Sequence, residues 1–172
     1  MLAAFGSDAY KIVLVLHILC AIVGFGAVFL NGIYGQQAKS RKGAEGLAIS
    51  QANFLVSQIG EYFIYAVFLL GIVLVLLGDN VFDFGQTWIW LSMLLFLVAI
   101  AVSHLMLRPR VRRMQALMEE LIAGGPPAGG PPPQLAEMEQ LGKRVGMIGP
   151  ALDITMVVIL FLMVFKPGGP SL

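Results

Sequence analysis

Four apolar runs, Ile12–Leu30, Tyr62–Leu77, Thr87–Leu107 and Met147–Phe165, decide the solvent in which this chain folds. A helix rises ~1.5 Å per residue and the hydrocarbon layer of a bilayer is ~30 Å thick, so about 20 apolar residues cross it. With their flanks, all four runs reach that length, and the expected spans are 10–34, 58–78, 87–107 and 146–165. Inside lipid no water satisfies a backbone N–H, so each span must be a helix and not a buried strand. The expected fold is all-α: a single integral membrane domain over residues 1–172, built as a four-transmembrane-helix bundle.

Composition agrees, with 58% hydrophobic and 12% charged residues and a mean hydropathy of +0.86, outside the range of ordinary soluble domains. Net charge is only +1, but its placement is uneven. Lys39, Arg41 and Lys42 follow the first run, and Arg108, Arg110, Arg112, Arg113, Lys143 and Arg144 lie between the third and fourth; only Lys11 and Lys166 lie elsewhere. By the positive-inside rule the segments 35–57 and 108–145 face the cytoplasm. Both termini and the Gly78–Gln86 turn then face outward, in a multi-pass protein of the cell membrane. The first run is expected to remain as a membrane helix rather than to be a cleaved signal, since Asp8 stands near Lys11, the run is long and no small-x-small cleavage site follows it. The lone cysteine, Cys20, forms no intramolecular disulfide and reads as a small packing residue.

Gln36–Asn53 is polar and leads into a helix that starts the second span before Tyr62. Trp88 and Trp90 open the third span where indole rings favour the headgroup region. Within 108–145, Val111, Met114, Leu117, Met118 and Leu121 share one helical face opposite Arg112, Arg113, Glu119 and Glu120, which predicts an amphipathic helix at the cytoplasmic surface. The Gly124–Gln134 stretch, GGPPAGGPPPQ, breaks that helix because proline lacks an N–H and clashes with the preceding turn. A second helix from Leu135 completes a cytoplasmic hairpin, with the Pro/Gly stretch as its linker.

On the first span His17, Cys20, Gly24, Ala27, Asn31 and Tyr34 recur at spacings of three and four, and so share a face. Small residues there, Cys20, Gly24 and Ala27, permit close helix packing, which turns His17 toward the bundle. A histidine at that depth is costly unless hydrogen-bonded, ligated or wet; it serves either as a haem or metal ligand or as an interhelical hydrogen bond. A second group emerges when depths are compared: Asn31, Glu61, His104 and Asp153 place one polar residue from each helix in the same leaflet. Arg108, Lys143 or Arg144 can snorkel back to such carboxylates. The group forms a proton, ion or ligand pocket open to the cytoplasm, or a set of buried pairs that specify the bundle.

By helix rise His17 and His104 differ in depth by roughly 13 Å, too far to ligate one iron together. A haem on His17 would need Met, Tyr, water or another subunit as its second ligand. There is no phosphate loop, HExxH, CxxC or nucleophile elbow, which argues against an enzyme. The Arg108–Arg113 stretch beside a span reads as a topology and lipid-contact signal rather than a nucleic-acid site.

The sequence Leu16-His17-Ile18-Leu19-Cys20-Ala21, followed by Gly24-Phe25-Gly26, Phe29 and Asn31-Gly32-Ile33-Tyr34-Gly35, resembles the opening helix of the DUF2269 family of predicted integral membrane proteins. More distantly, the LHxLxA pattern looks like the first helix of CopD-like copper-resistance proteins and HemJ-type protoporphyrinogen oxidases. That likeness implies haem binding at His17.

The leading expectation is a non-enzymatic accessory or assembly component that contacts the lipid bilayer and other integral membrane proteins. The rivals are a haem- or copper-binding redox protein using His17 and a small proton- or ion-coupled transporter using Glu61, His104 and Asp153. In a Cys20→Ala background, Ser171→Cys is expected to react with a membrane-impermeant thiol reagent in intact cells and Ser40→Cys to be protected; the reverse pattern would overturn the topology.

Overall fold

The computed structural model describes residues 6–41, 43–79, 81–125 and 130–169. Lys42, residues 126–129 of the Pro/Gly stretch and residues 170–172 lie outside the described residues. The elements are α1 (Asp8–Ser40), α2 (Ala44–Leu76), α3 (Thr87–Val102), a π turn (Ser103–Leu107), α4 (Arg108–Ala123) and α5 (Pro133–Phe165), with no strand among the described residues. Four helical stretches are long and apolar enough to cross a membrane: α1, α2, the continuous run Thr87–Ala123, and α5.

These helices outrun the bilayer. At 33 residues, α1, α2 and α5 are each about 50 Å long, roughly 20 Å more than the hydrocarbon. The helices expected within 35–57 and 108–145 are continuous with the spans and carry them beyond the apolar layer. The amphipathic 110–122 helix is α4, but it does not stand apart from the third span: the π turn joins the two into one helix. Its apolar face turns inward, and Leu117 is 1% exposed. Gln115 Nε2 lies 3.1 Å from Ser50 Oγ, and Gln51 Nε2 donates to Glu119 Oε1 at 2.9 Å, holding α4 to the start of α2.

Local chemistry explains the ends. Ser7 Oγ accepts from the Tyr10 N–H at 3.3 Å and Asp8 sits in the first turn of α1, which satisfies an orphan donor and complements the helix dipole. The α1–α2 turn is tight: a Cβ on Gly46 would stand 2.3 Å from the Arg41 carbonyl oxygen, so no larger residue closes it. Pro109 explains the π turn. Its ring offers no N–H and crowds the preceding carbonyls, and the helix widens so that Arg108 N–H reaches back five residues to the Ser103 carbonyl.

Packing proceeds by pairs, α1 on α2 and α3 on α5. Along the antiparallel α1–α2 seam His17 faces Gly71, Gly24 faces Ile64 and Gly60, Ala27 faces Gly60, and Asn31 meets Ser57. A Cβ on Gly24 would stand 2.9 Å from Ile64 Cγ1 and 3.2 Å from its backbone nitrogen, and one on Gly60 would stand 2.6 Å from Ala27 Cβ. The pairs are then joined by two apolar clusters. Val67, Phe96 and Ile159 form one, with Phe68 stacked on Phe96 at 5.4 Å between centroids. Tyr10, Leu74, Phe82, Trp88, Ile89 and Leu162 form the other, at the opposite end from α4.

The two tryptophans divide in role. Trp90 is exposed, while Trp88 is buried against Phe82, with Lys166 Nζ 5.9 Å from its ring and Gln86 Oε1 accepting from its indole N–H at 2.9 Å. Spacing alone assigns both to the headgroup region, but the turn folds over Trp88 and encloses it.

Gly24→Leu is expected to lower the thermal midpoint in detergent far more than Val15→Leu, since Val15 is exposed and overpacking a closed seam costs about 1–3 kcal/mol. Equal losses of folded, monodisperse protein would contradict the seam.

Candidate functional site

One turn of α2 carries Glu61 and Tyr65, four residues apart and so on one face. His104 and Arg108 come from the π turn and the first residue of α4. Arg108 Nη1 lies 3.0 Å from Glu61 Oε2 and 3.3 Å from Oε1. His104 Nε2 lies 2.8 Å from Glu61 Oε1 and 2.6 Å from Tyr65 Oη, and Tyr65 Oη donates to Glu61 Oε1. All three polar atoms thus contact one another. A phenol has one proton, which goes to Glu61, so the contact with His104 requires the imidazole to donate from Nε2. His104 Nδ1 is shielded and has no hydrogen-bond partner among the described residues.

The cluster is held from outside as well. The guanidinium of Arg108 lies 5.8 Å, and that of Arg112 5.4 Å, from the centre of the Phe54 ring. An open depression of about 460 Å³ beside it is lined by His104, Arg108, Pro109 and Arg112. The chemistry available is charge-assisted hydrogen bonding, proton movement among Glu61, Tyr65 and His104, and anion binding in the depression.

The other polar residues singled out from the sequence are placed as follows. Asn31 Oδ1 lies 2.7 Å from Ser57 Oγ, one turn of α2 from Glu61. Asp153 is half-buried on α5, and among the described residues no hydrogen bond or ion pair joins it to Glu61 or His104. Of the three snorkelling candidates only Arg108 reaches a carboxylate of the group; Lys143 pairs with Glu139 at 2.8 Å. Tyr65 is the member that sequence reasoning missed, although its i+4 spacing from Glu61 is visible in the chain. Beyond the spans Arg113 grips Glu137 through two bonds of 2.8 and 3.1 Å, and this hydrogen-bonded pairing holds the Glu137 carboxyl below the usual carboxylate range.

His17 is half-buried in the α1–α2 seam, where a Cβ on Gly71 would stand 3.3 Å from its Cε1. On α2, Gly71 is six to ten residues from the two partners of His104, or ~9–15 Å by rise, so the two histidines do not meet across one iron. No group of three or more His, Cys, Asp and Glu side chains suited to a metal ion forms among the described residues.

Four lipid-length helices with an ion-paired polar centre near one end define a polytopic integral membrane protein. The chain belongs to the DUF2269 family, described as a predicted integral membrane protein, which it matches over residues 11–167. No curated protein and no solved structure matches it.

Glu61→Ala strands Arg108 and His104 together and is expected to cost about 1–3 kcal/mol of stability, a range already reduced for partial solvent exposure. Asp153→Asn, at a site without a bonded partner among the described residues, is expected to change stability by less than about 0.5 kcal/mol. Thermal unfolding of both variants in one detergent checks this; a larger loss for Asp153→Asn would contradict it.

Proposed function

We propose that the protein is a non-enzymatic accessory or assembly component of the cell membrane, packing against other integral membrane proteins through α1. The observation carrying this reading is that α1 is the least enclosed span. Only 6% of its most apolar window is buried within the chain, against 17%, 17% and 22% for the other three. Gly32 and Gly35, three residues apart, are exposed, and a Cβ added at either meets nothing within 4 Å. Small residues of this kind allow a foreign helix to approach closely, where association depends on van der Waals contact rather than on hydrophobicity. Both termini lie on the outer side in this reading, which puts α4 and the polar cluster toward the cytoplasm.

A second reading, proton- or ion-coupled transport, has the Glu61–Tyr65–His104 contacts in its favour. It requires Glu61→Gln to abolish flux in liposomes with folding intact. A redox role through His17 rests on the LHxLxA likeness and stands or falls on the absorption spectrum of the purified protein.

A photo-crosslinking residue at Gly32 is expected to give discrete protein adducts in native membranes, whereas one at Ile154, 65% exposed on α5, gives only lipid adducts. Lipid adducts alone at both positions would contradict the accessory reading.

A further inference from the structure

The arginines around the π turn are unequally compensated. Arg108 is paired with Glu61, and Arg113 with Glu137 and, at 3.7 Å, Glu120. Arg110 turns back to the Met106 carbonyl. Arg112 has no carboxylate partner among the described residues; its guanidinium rests on Phe54 beside that of Arg108. Two guanidinium groups over one aromatic ring, of which only that of Arg108 is paired with a carboxylate, leave a net positive charge. That charge borders the open depression of about 460 Å³ lined by His104, Arg108, Pro109 and Arg112.

The depression also has an apolar approach. Leu94 and Val98, each 50% exposed, lie one turn apart on α3, and Leu105, 76% exposed, lies in the π turn three residues before Arg108. The π turn shifts the helical register, so these residues expose apolar surface on the span beside the basic end without forming one stripe through it. Apolar surface therefore lies next to a depression with donors for a tetrahedral anion. Arginine suits that role because its planar fork meets phosphate oxygens in pairs and is more weakly hydrated than an ammonium.

We propose that the Arg112 side of this depression is a binding site for the phosphate headgroup of an anionic phospholipid, whose chains lie against the exposed apolar surface of the third span, Leu105 among it. Arg112 supplies the uncompensated charge. Arg108 remains tied to Glu61 through Nη1 and offers its other donors, and Pro109 shapes the floor by opening the helix at the π turn. Free inorganic phosphate shares the anion chemistry but gains nothing from the apolar surface. The site belongs to this chain alone and is independent of the packing of α1 on other proteins.

The purified full-length protein in a neutral detergent is titrated with mixed micelles containing phosphatidylglycerol, phosphatidylcholine or no lipid, and in parallel with inorganic phosphate. Thermal midpoint and tryptophan fluorescence are the readouts. Phosphatidylglycerol is expected to raise the midpoint saturably, with phosphatidylcholine and phosphate giving little change. Arg112→Gln is expected to weaken the phosphatidylglycerol response about tenfold, the loss of one charged hydrogen-bonding partner, while Arg110→Gln changes it less than about twofold and Arg112→Lys retains part of it. An equal response to phosphatidylcholine, or an undiminished response in Arg112→Gln, would overturn the site. Stabilisation by inorganic phosphate as strong as by phosphatidylglycerol, lost in Arg112→Gln, would assign the depression to a free anion and overturn the lipid proposal.

Discussion

A carboxylate on a membrane helix must find its partners within the protein, because the surrounding hydrocarbon offers none. On α2 that group is Glu61, and its three partners fix how the two helix pairs meet. Tyr65 comes from the next turn of the same helix, while His104 and Arg108 arrive from the π turn and the start of α4. The α1–α2 pair and the α3–α5 pair share apolar clusters of generic Val, Phe and Ile contacts. Such contacts tolerate small shifts in register; a triangle of polar atoms with an arginine bonded to it does not. The bond from Arg108 Nη1 to Glu61 therefore defines the level at which α2 passes the third span.

Within the first pair the constraint is steric. His17 against Gly71, Gly24 against Ile64 and Asn31 against Ser57 all pair positions whose numbers add to the same total, so one antiparallel register runs along the seam. Gly24 and Gly60 set its depth, since a methyl group on either would press into backbone or Ala27. Close approach lets dispersion hold two helices together where lipid removes the hydrophobic incentive. The same register places Asn31 one turn from the Glu61 cluster and His17 further along, out of reach of His104.

Much of this arrangement was legible in the chain. Run length gave four helices, the three-and-four spacing marked the α1 face with Gly24 and Ala27, and shared depth put Glu61 and His104 in one leaflet with Arg108 as a candidate partner. The misses have physical causes. Hydropathy ends where polar residues begin, but backbone hydrogen bonding does not, so α1 continues past Tyr34 to Ser40 and the third span runs through the π turn into α4. Asp153 matched the others in depth, yet depth carries no azimuth between unpaired helices, and the residue makes no bond to Glu61 or His104. Pro109 sat in plain view, but its consequence, a widened turn that carries His104 and lines the depression, depends on how the helix accommodates it.

Glu61 and Arg108 act as a pair that ties α2 to the third span. A double-mutant cycle tests it most directly: Glu61→Gln, Arg108→Gln and the double variant are compared by equilibrium unfolding in one detergent. A coupling of at least about 1 kcal/mol is expected between the two positions, the double variant being clearly more stable than the sum of the single losses implies. Strict additivity within about 0.3 kcal/mol would show that the two side chains do not stabilise each other and that the tie between α2 and the third span lies elsewhere.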